Sequence, residues 1–225
     1  MNENPGGIDV SRYANDQVGW ERSYKTNLAL EFNLRNGFSS IIEIYKERRK
    51  NILQDRIMPA TAGILPAVKA NVGEAEGRGI DIELNYDKTI GKDLKFTGRG
   101  TFTYTTSKVI KWEEPDYGNN YWLSRIGTNL GQTWGLVAER LFIDSAEVKN
   151  SPRQEFGAYS GGDIKYKDIN GDGKIDNLDF VPIGHPVTPE IIYGFGLSVS
   201  YKRFDFNFFF QGLARESFWL NQDNV

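Results

Sequence analysis

The sequence predicts an all-β protein: an antiparallel up-and-down meander forming part of a transmembrane β-barrel, with long loops at one rim and too few strands to close. Three observations predict it. Six segments alternate apolar and polar residues with a period of two. Their apolar faces run for five or six successive positions without a charge. The connections fall into two length classes, tight and long, and these alternate along the chain.

In the first segment Tyr24, Thr26, Leu28, Leu30, Phe32 and Leu34 share a face, and Lys25, Asn27, Glu31, Asn33 and Arg35 share the other. Asn36-Gly37 comes next, a dipeptide suited to a type I′ hairpin turn because both positions need positive φ. The second segment, Phe38 to Lys50, is weaker, with Ile42 and Ile44 set against Glu43 and Tyr45. The third sets Ile80, Ile82, Leu84 and Tyr86 against Asp81, Glu83 and Asn85. A short connection from Asp87 to Asp93 leads to the fourth, where Leu94, Phe96, Phe102 and Tyr104 oppose Lys95, Thr97, Arg99, Thr101 and Thr103. The fifth carries Tyr193, Phe195, Leu197, Val199 and Tyr201 on one face, and the sixth Phe204, Phe206, Phe208 and Phe210. Lys202-Arg203 joins them.

Strand one to two, three to four and five to six are tight, whereas two to three takes about 20 residues and four to five about 80. Short turns at one rim and long loops at the other describe an outer-membrane barrel. A soluble antiparallel sheet with one wet face also alternates, but it does not require uncharged faces of this length or loops segregated by size. Small barrels need about 8 strands and large transporters about 22, so six strands form an incomplete wall.

Composition is compatible with this reading. The chain has 225 residues, 39% of them hydrophobic, and a formal net charge of −3. No run approaches the roughly 18 apolar residues of a spanning helix, and a mean hydropathy of −0.50 does not exclude a barrel, whose strands hide half their residues from lipid. The charge gives no case for a nucleic-acid partner. The absence of cysteine excludes disulfides, thiol catalysis and thiolate metal sites. The polar N-terminal stretch lacks the apolar core of a signal peptide, so the expectation is either a protein that is not exported or an internal piece of a longer one.

Within the longest connection, about 108–190, lies an acidic loop spanning 168–179. Asp168, Asn170 and Asp172 stand at positions 1, 3 and 5, Gly173 at 6, Lys174 at 7, Asp176 at 9 and Asp179 at 12. This is the ligand order of a twelve-residue calcium loop, in which position 7 lends its backbone carbonyl. The expected ion is Ca2+ in a structural role, with Mg2+ the alternative. Asp179 replaces the usual bidentate Glu and is shorter. The competing reading is an Asp/Asn/Gly turn that bonds its own backbone.

The same residues resemble the late barrel region of SusC/RagA-type TonB-dependent outer-membrane transporters of Bacteroidetes. The stretch from Gly162 to Gly212 carries most of the likeness. WERSYKTNLALEFNL, SIIEIYKERRKNIL, PATAGILPAVKANVGEAEGRGIDIELNY and GQTWGLVAERLF follow family segments in the same order, with Glu139-Arg140 where Asp-Gly is common. The resemblance covers nearly the whole chain (1–225 as one partial barrel domain). It implies a bacterial outer-membrane barrel, in contact with outer-membrane lipid, that imports oligosaccharides or peptides with a SusD-like surface lipoprotein. It also implies energy from TonB, acting through an N-terminal region with no counterpart here. The family's signal peptide, TonB box and plug also have none, so the resemblance implies a fragment of roughly a quarter of such a transporter. A reading from a different class is a secreted calcium-stabilised β-domain acting as an adhesin or glycan-binding module.

No catalytic set emerges. His185 is the lone histidine and reads as a turn residue. Glu31, Glu43, Asp81 and Glu83 read as polar lumen residues balanced by Lys25, Arg35, Lys95 and Arg99 rather than as glycosidase acids. The long connection carries Trp112, Tyr117, Tyr121, Trp122, Trp134 and Tyr159; of these Trp122 and Trp134 are candidate substrate-binding residues, against the simpler expectation that the aromatics pack the loop.

Overall fold

The structure, a computed structural model, describes residues 14–58, 61 and 68–220. Residues 1–13 and most of the stretch from Pro59 to Ala67 lie outside the described residues. Six long strands form one sheet in the order of the sequence: β1 (Arg22–Asn33), β2 (Phe38–Asp55), β3 (Lys69–Ile90), β4 (Leu94–Lys111), β5 (Ile191–Tyr201) and β6 (Phe204–Ala214). Every neighbouring pair is antiparallel. The sheet is an open meander whose outer edges are β1 and β6. No helix among the described residues is long and apolar enough to cross a membrane, which says nothing about strands.

The register fixes the faces. Leu28 lies opposite Ile44, Ile44 opposite Ile80, Ile80 opposite Tyr104, Tyr104 opposite Ile191, and Ile191 opposite Ala214. Counting in twos from this row keeps every apolar set on one side. Phe195 meets Gly100 and Phe210, Leu197 meets Gly98 and Phe208, and Val199 meets Phe96 and Phe206. The opposite face is polar: Glu43 pairs across to Asp81 and Asp81 to Thr103, while Ser198 lies between Thr97 and Asn207. Arg99 pairs with Glu83 at 3.6 Å on this face.

The apolar face is not covered by protein. Leu28 is 73% exposed, Phe204 79% and Phe206 64%. The buried hydrophobic side chains among the described residues are Ala75, Val109, Phe142 and Ile175, none of them in the six-strand apolar rows. A soluble sheet would bury such a face against a second layer. Here the face requires a non-aqueous medium, as the uncharged alternation predicts.

Turns and ends settle the register. At the β1–β2 turn Gly37 takes φ 90° but Asn36 does not take positive φ, so the expected type I′ turn is not formed; a Cβ at Gly37 would stand 1.8 Å from the Asp87 carbonyl oxygen, which only glycine avoids. Lys202 takes φ 56° at the β5–β6 turn. The strands run further than alternation alone indicates. β3 continues through Ile90, leaving only 91–93 to turn, and begins at Lys69 rather than near Ile80. β2 continues past Lys50 through a bulge at Asn51 (φ 58°), held by the Asn71 amide donating to the Asn51 carbonyl at 2.7 Å. β4 runs to Lys111, so the longest connection begins at Trp112. Apart from the end of β3 at Ile90, these extensions lie at the rim of the long connections, where strands project beyond the apolar rows.

Leu197 sits mid-face between Gly98 and Phe208, and Ser198 points to the polar side. In a lipid-reconstituted barrel that includes this segment, Leu197→Arg is expected to lower unfolding stability by about 2–4 kcal/mol, and Ser198→Arg by less than about 1 kcal/mol. Denaturant titration followed by tryptophan fluorescence checks the difference.

Candidate functional site

The long connection, residues 112–190, folds back on itself into a lobe at one rim of the sheet. Short ladders stitch it. Trp134–Gly135 pairs with Val181–Pro182, Ala138–Leu141 with Ile164–Tyr166, and Arg153–Gln154 runs parallel to Lys174–Ile175. A small core fills it: Ile175 is 1% exposed, Phe142 is 3% exposed and stacks on Tyr159 at 5.7 Å, and Phe156 meets Phe180 edge-on at 5.9 Å.

One brace inside the lobe centres on Glu147. A short helix, α1 (Ser145–Lys149), starts at Asp144, whose carboxylate accepts the Glu147 N–H at 2.8 Å. The Glu147 carboxylate accepts from both terminal nitrogens of Arg140, from the Ile143 N–H at 2.9 Å and from Lys165 Nζ at 3.1 Å. These bonds, the Arg140 bond foremost, pull its pKa from the ordinary 4.5 to about 2.

A second brace anchors the lobe to the sheet. Glu190, 3% exposed, precedes β5 and faces Arg215 just after β6. Its Oε2 accepts from Arg215 Nε at 2.7 Å; its Oε1 accepts from Thr106 Oγ1 at 2.8 Å and from Asn129 Nδ2 at 3.3 Å. Burial pushes this carboxyl up, but the hydrogen bonds from Arg215 and Thr106 outweigh burial and hold it below its ordinary value. The clamp joins β4, β5, the chain after β6, and the lobe. Arg215 occupies φ 57°, a conformation that non-glycine residues rarely adopt and that the clamp holds in place. Sequence reading missed both residues.

The acidic loop forms a compact turn. Asp168 accepts from the Gly171 N–H at 2.7 Å and the Gly173 N–H at 2.9 Å; Asn170 accepts from Asp172, and Asp172 from Lys174. Asp176 caps a short 3-10 turn at Asn177–Asp179. Asp179 is fully buried and accepts from the N–H groups of Ile169 at 2.8 Å and Asp176 at 2.9 Å, drawing the two ends of the loop together. Lys174 lies in the short parallel ladder with Arg153. As they stand, no three acidic or histidine side chains among the described residues converge tightly enough to hold an ion. A carboxylate offers about four acceptor positions, so the two bonds to Asp168 leave part of its capacity open.

The aromatics mostly pack. Trp122 donates its indole N–H to the Leu178 carbonyl at 2.8 Å, tying the early lobe to the acidic loop. Trp134 lines a groove of about 170 Å3 with Trp112, and the Arg125 guanidinium lies 5.4 Å from the Trp112 ring. Tyr121 stands 77% exposed at the surface. His185 lies in a turn, its N–H donating to Ser217 Oγ at 2.8 Å. The structure does not bring Trp122 and Trp134 into one pocket.

Comparison with known proteins agrees with sheet and loops together. The model of the TonB dependent receptor-like β-barrel family matches residues 2–221, and the chain belongs to that family. TonB-dependent receptor P26 of Formosa agariphila is 29% identical over 217 residues, covering 92% of this chain and 21% of that protein. TonB-dependent receptor P3 of the same organism is 24% identical, covering 91% and 21%. The chain thus spans about a fifth of the curated relatives it matches. The RagAB peptide importer in its open-open state shares the fold with a TM-score of 0.69 at 20% identity, over 96% of this chain and 23% of that one. The closed-closed state gives 0.66 at 19%. The chain is therefore a segment of a TonB-dependent receptor-like β-barrel that shares its fold with RagAB, and the curated relatives it matches are receptors, not enzymes.

Because the Glu147 carboxyl lies below its ordinary value, its brace contributes stability above pH 4.5 and loses it as the pH falls toward about 2. The gap in melting midpoint between wild type and Glu147→Gln is expected to be full at pH 7 and to close across that window.

Proposed function

We propose that the chain forms part of the wall and the extracellular rim of a bacterial outer-membrane importer that takes up oligosaccharides or peptides with a SusD-like surface lipoprotein. TonB supplies the energy through other parts of that importer. The observation that carries the reading is the single apolar face held in register across six strands, backed by a polar face, with the long connections at one rim. The tight turns then belong to the periplasmic rim and the lobe to the cell surface. RagAB is a peptide importer, which supports a peptide cargo in its own case.

The test uses the transporter that contains this segment. Replacing both aromatic candidates (Trp122→Ala with Trp134→Ala) is expected to reduce uptake of labelled oligosaccharide or oligopeptide about tenfold while surface expression stays unchanged, the loss of roughly one stacked contact. Unchanged uptake removes both residues from recognition. Failure of a SusD-type lipoprotein to co-purify with the intact transporter removes the partner.

We also propose a structural Ca2+ for the acidic loop, supported by the order of its oxygen-bearing residues and by the open acceptor capacity of Asp168. Asp168, Asn170, Asp172, Asp176, Asp179 and the Lys174 carbonyl would hold it; the ion would supply only local cross-linking. Millimolar Ca2+ is expected to slow proteolysis within residues 160–180, more than Mg2+ does, and Asp172→Ala to abolish the difference. Equal cleavage with calcium and with chelator leaves the loop as a self-bonded turn.

A further inference from the structure

The apolar face ends abruptly toward the lobe, and the rows beyond it on the same side of the sheet are basic. Directly above the Leu28–Ile44–Ile80–Tyr104 row come Thr26, Lys46, Arg78 and Thr106. The next row is Tyr24, Arg48, Glu76 and Lys108; the one above it is Arg22, Lys50, Glu74 and Lys111. Seven cations thus face outward with two carboxylates, in a chain whose net charge is −3. The carboxylates are engaged on β2: Glu76 with Lys46 at 3.0 Å, Glu74 with Arg48 at 2.6 Å. Among the described residues Arg78 and Lys108 have no ion-pair partner, and both are exposed.

These two flank a groove of about 380 Å3 whose other lining residues are Glu76, Thr106, Ser107 and Ile110 of the sheet and Gly127 and Asn129 of the lobe; the Glu76 carboxylate is the one anionic group in it and is met by Lys46. The lysine stem rests beside Gly127, where a Cβ would stand 3.7 Å from Lys108 Cε. The height of the groove identifies its surroundings. A strand rises about 3.3 Å per residue, so at a tilt near 40° each row adds about 5 Å along the membrane normal. The polar layer of one leaflet is about 5–8 Å deep, so, counted from the last apolar row, the first basic row falls within it and the second lies at its outer edge. A basic belt at that depth on the lipid side meets headgroups rather than solute.

We propose that the Arg78–Lys108 groove, with the basic rows beside it, binds the phosphate group of an anionic lipid in the outer leaflet. The occupant is a lipid because the belt continues the apolar face without a break: acyl chains lie against Tyr104, Ile80 and Ile44, and the phosphate reaches Arg78 and Lys108. Thr106 Oγ1 already donates to Glu190, so the charge complement comes from the two cations. The proposal rests on the membrane-wall reading above, and its test separates the two.

The detergent-extracted transporter that contains this segment is titrated with diphosphoryl lipid A and with its fully dephosphorylated form, and bound lipid is read by native mass spectrometry. Wild type is expected to retain the phosphorylated form preferentially. Arg78→Ser with Lys108→Ser is expected to weaken that retention about thirtyfold, the combined effect of two surface cations. Arg78→Lys with Lys108→Arg, which keeps both charges, is expected to retain the lipid. Equal retention of both lipid forms by wild type, or undiminished retention by the double serine variant, overturns the proposal. So does displacement of the lipid by millimolar inorganic phosphate, which marks a free-anion site. Heat-modifiable migration on gels, measured in parallel, reports whether the barrel is folded; its loss in wild type counts against the membrane wall itself.

Discussion

Everything in this chain hangs on the parity of its backbone ladder. Lipid offers no hydrogen-bond partner, so each strand crossing it must give every N–H and C=O to a neighbour. Because side chains alternate with a period of two, a slip of one residue anywhere would turn an entire apolar set into the lumen. The chain guards against this locally. Gly37 closes its turn against the Asp87 carbonyl in a space that no other residue could share, so β1, β2 and β3 are fixed together at one end. Bulges at Asn51 and beside Glu74 fall at the other end, above the apolar rows, where an extra residue shifts nothing that touches lipid.

Charge is partitioned by the same parity. Inside, Glu43, Asp81 and Glu83 share a surface with Arg99, Asn27 and threonines. Outside, charge is absent from the central rows; it returns as Lys88 beside Phe96 near the rim of the tight turns, and as an excess of cations where the strands rise toward the lobe. The two populations belong to different solvents. The Glu190–Arg215 clamp sits where both meet the lobe, and its burial is tolerable because each carboxylate oxygen has a donor.

The part of the fold in contact with lipid was legible because lipid imposes a strict alternation, and all six apolar faces read from the residues reappear in the register. Legibility failed where that pressure ends. The first half of β3, with Glu74, Glu76, Arg78 and glycines at 73, 77 and 79, shows no apolar alternation, since neither of its faces meets hydrocarbon there. The same holds for the Thr-Ser-Lys end of β4. The acidic loop was legible as a spacing but not as a geometry, because one order of Asp and Asn serves an ion and a self-bonded turn alike. Glu190 was missed because it reads as one more polar residue after Pro189. Its signal lay in the hairpin register, which sets it opposite Arg215 and makes an oppositely charged pair at matched strand ends.

The clamp also fixes how the lobe relates to the wall. The Thr105 N–H donates to the Glu190 carbonyl at 2.8 Å, so the chain comes back beside β4 just where it enters β5. β4 rises past this point for six more residues, against which the lobe's Gly127–Thr128 stretch adds its own pairing at Val109. The barrel therefore experiences the 79 residues of 112–190 as an ordinary hairpin connection between adjacent strands. Such an arrangement makes the register of the wall independent of what the lobe contains, because β4 and β5 pair directly with each other beneath it.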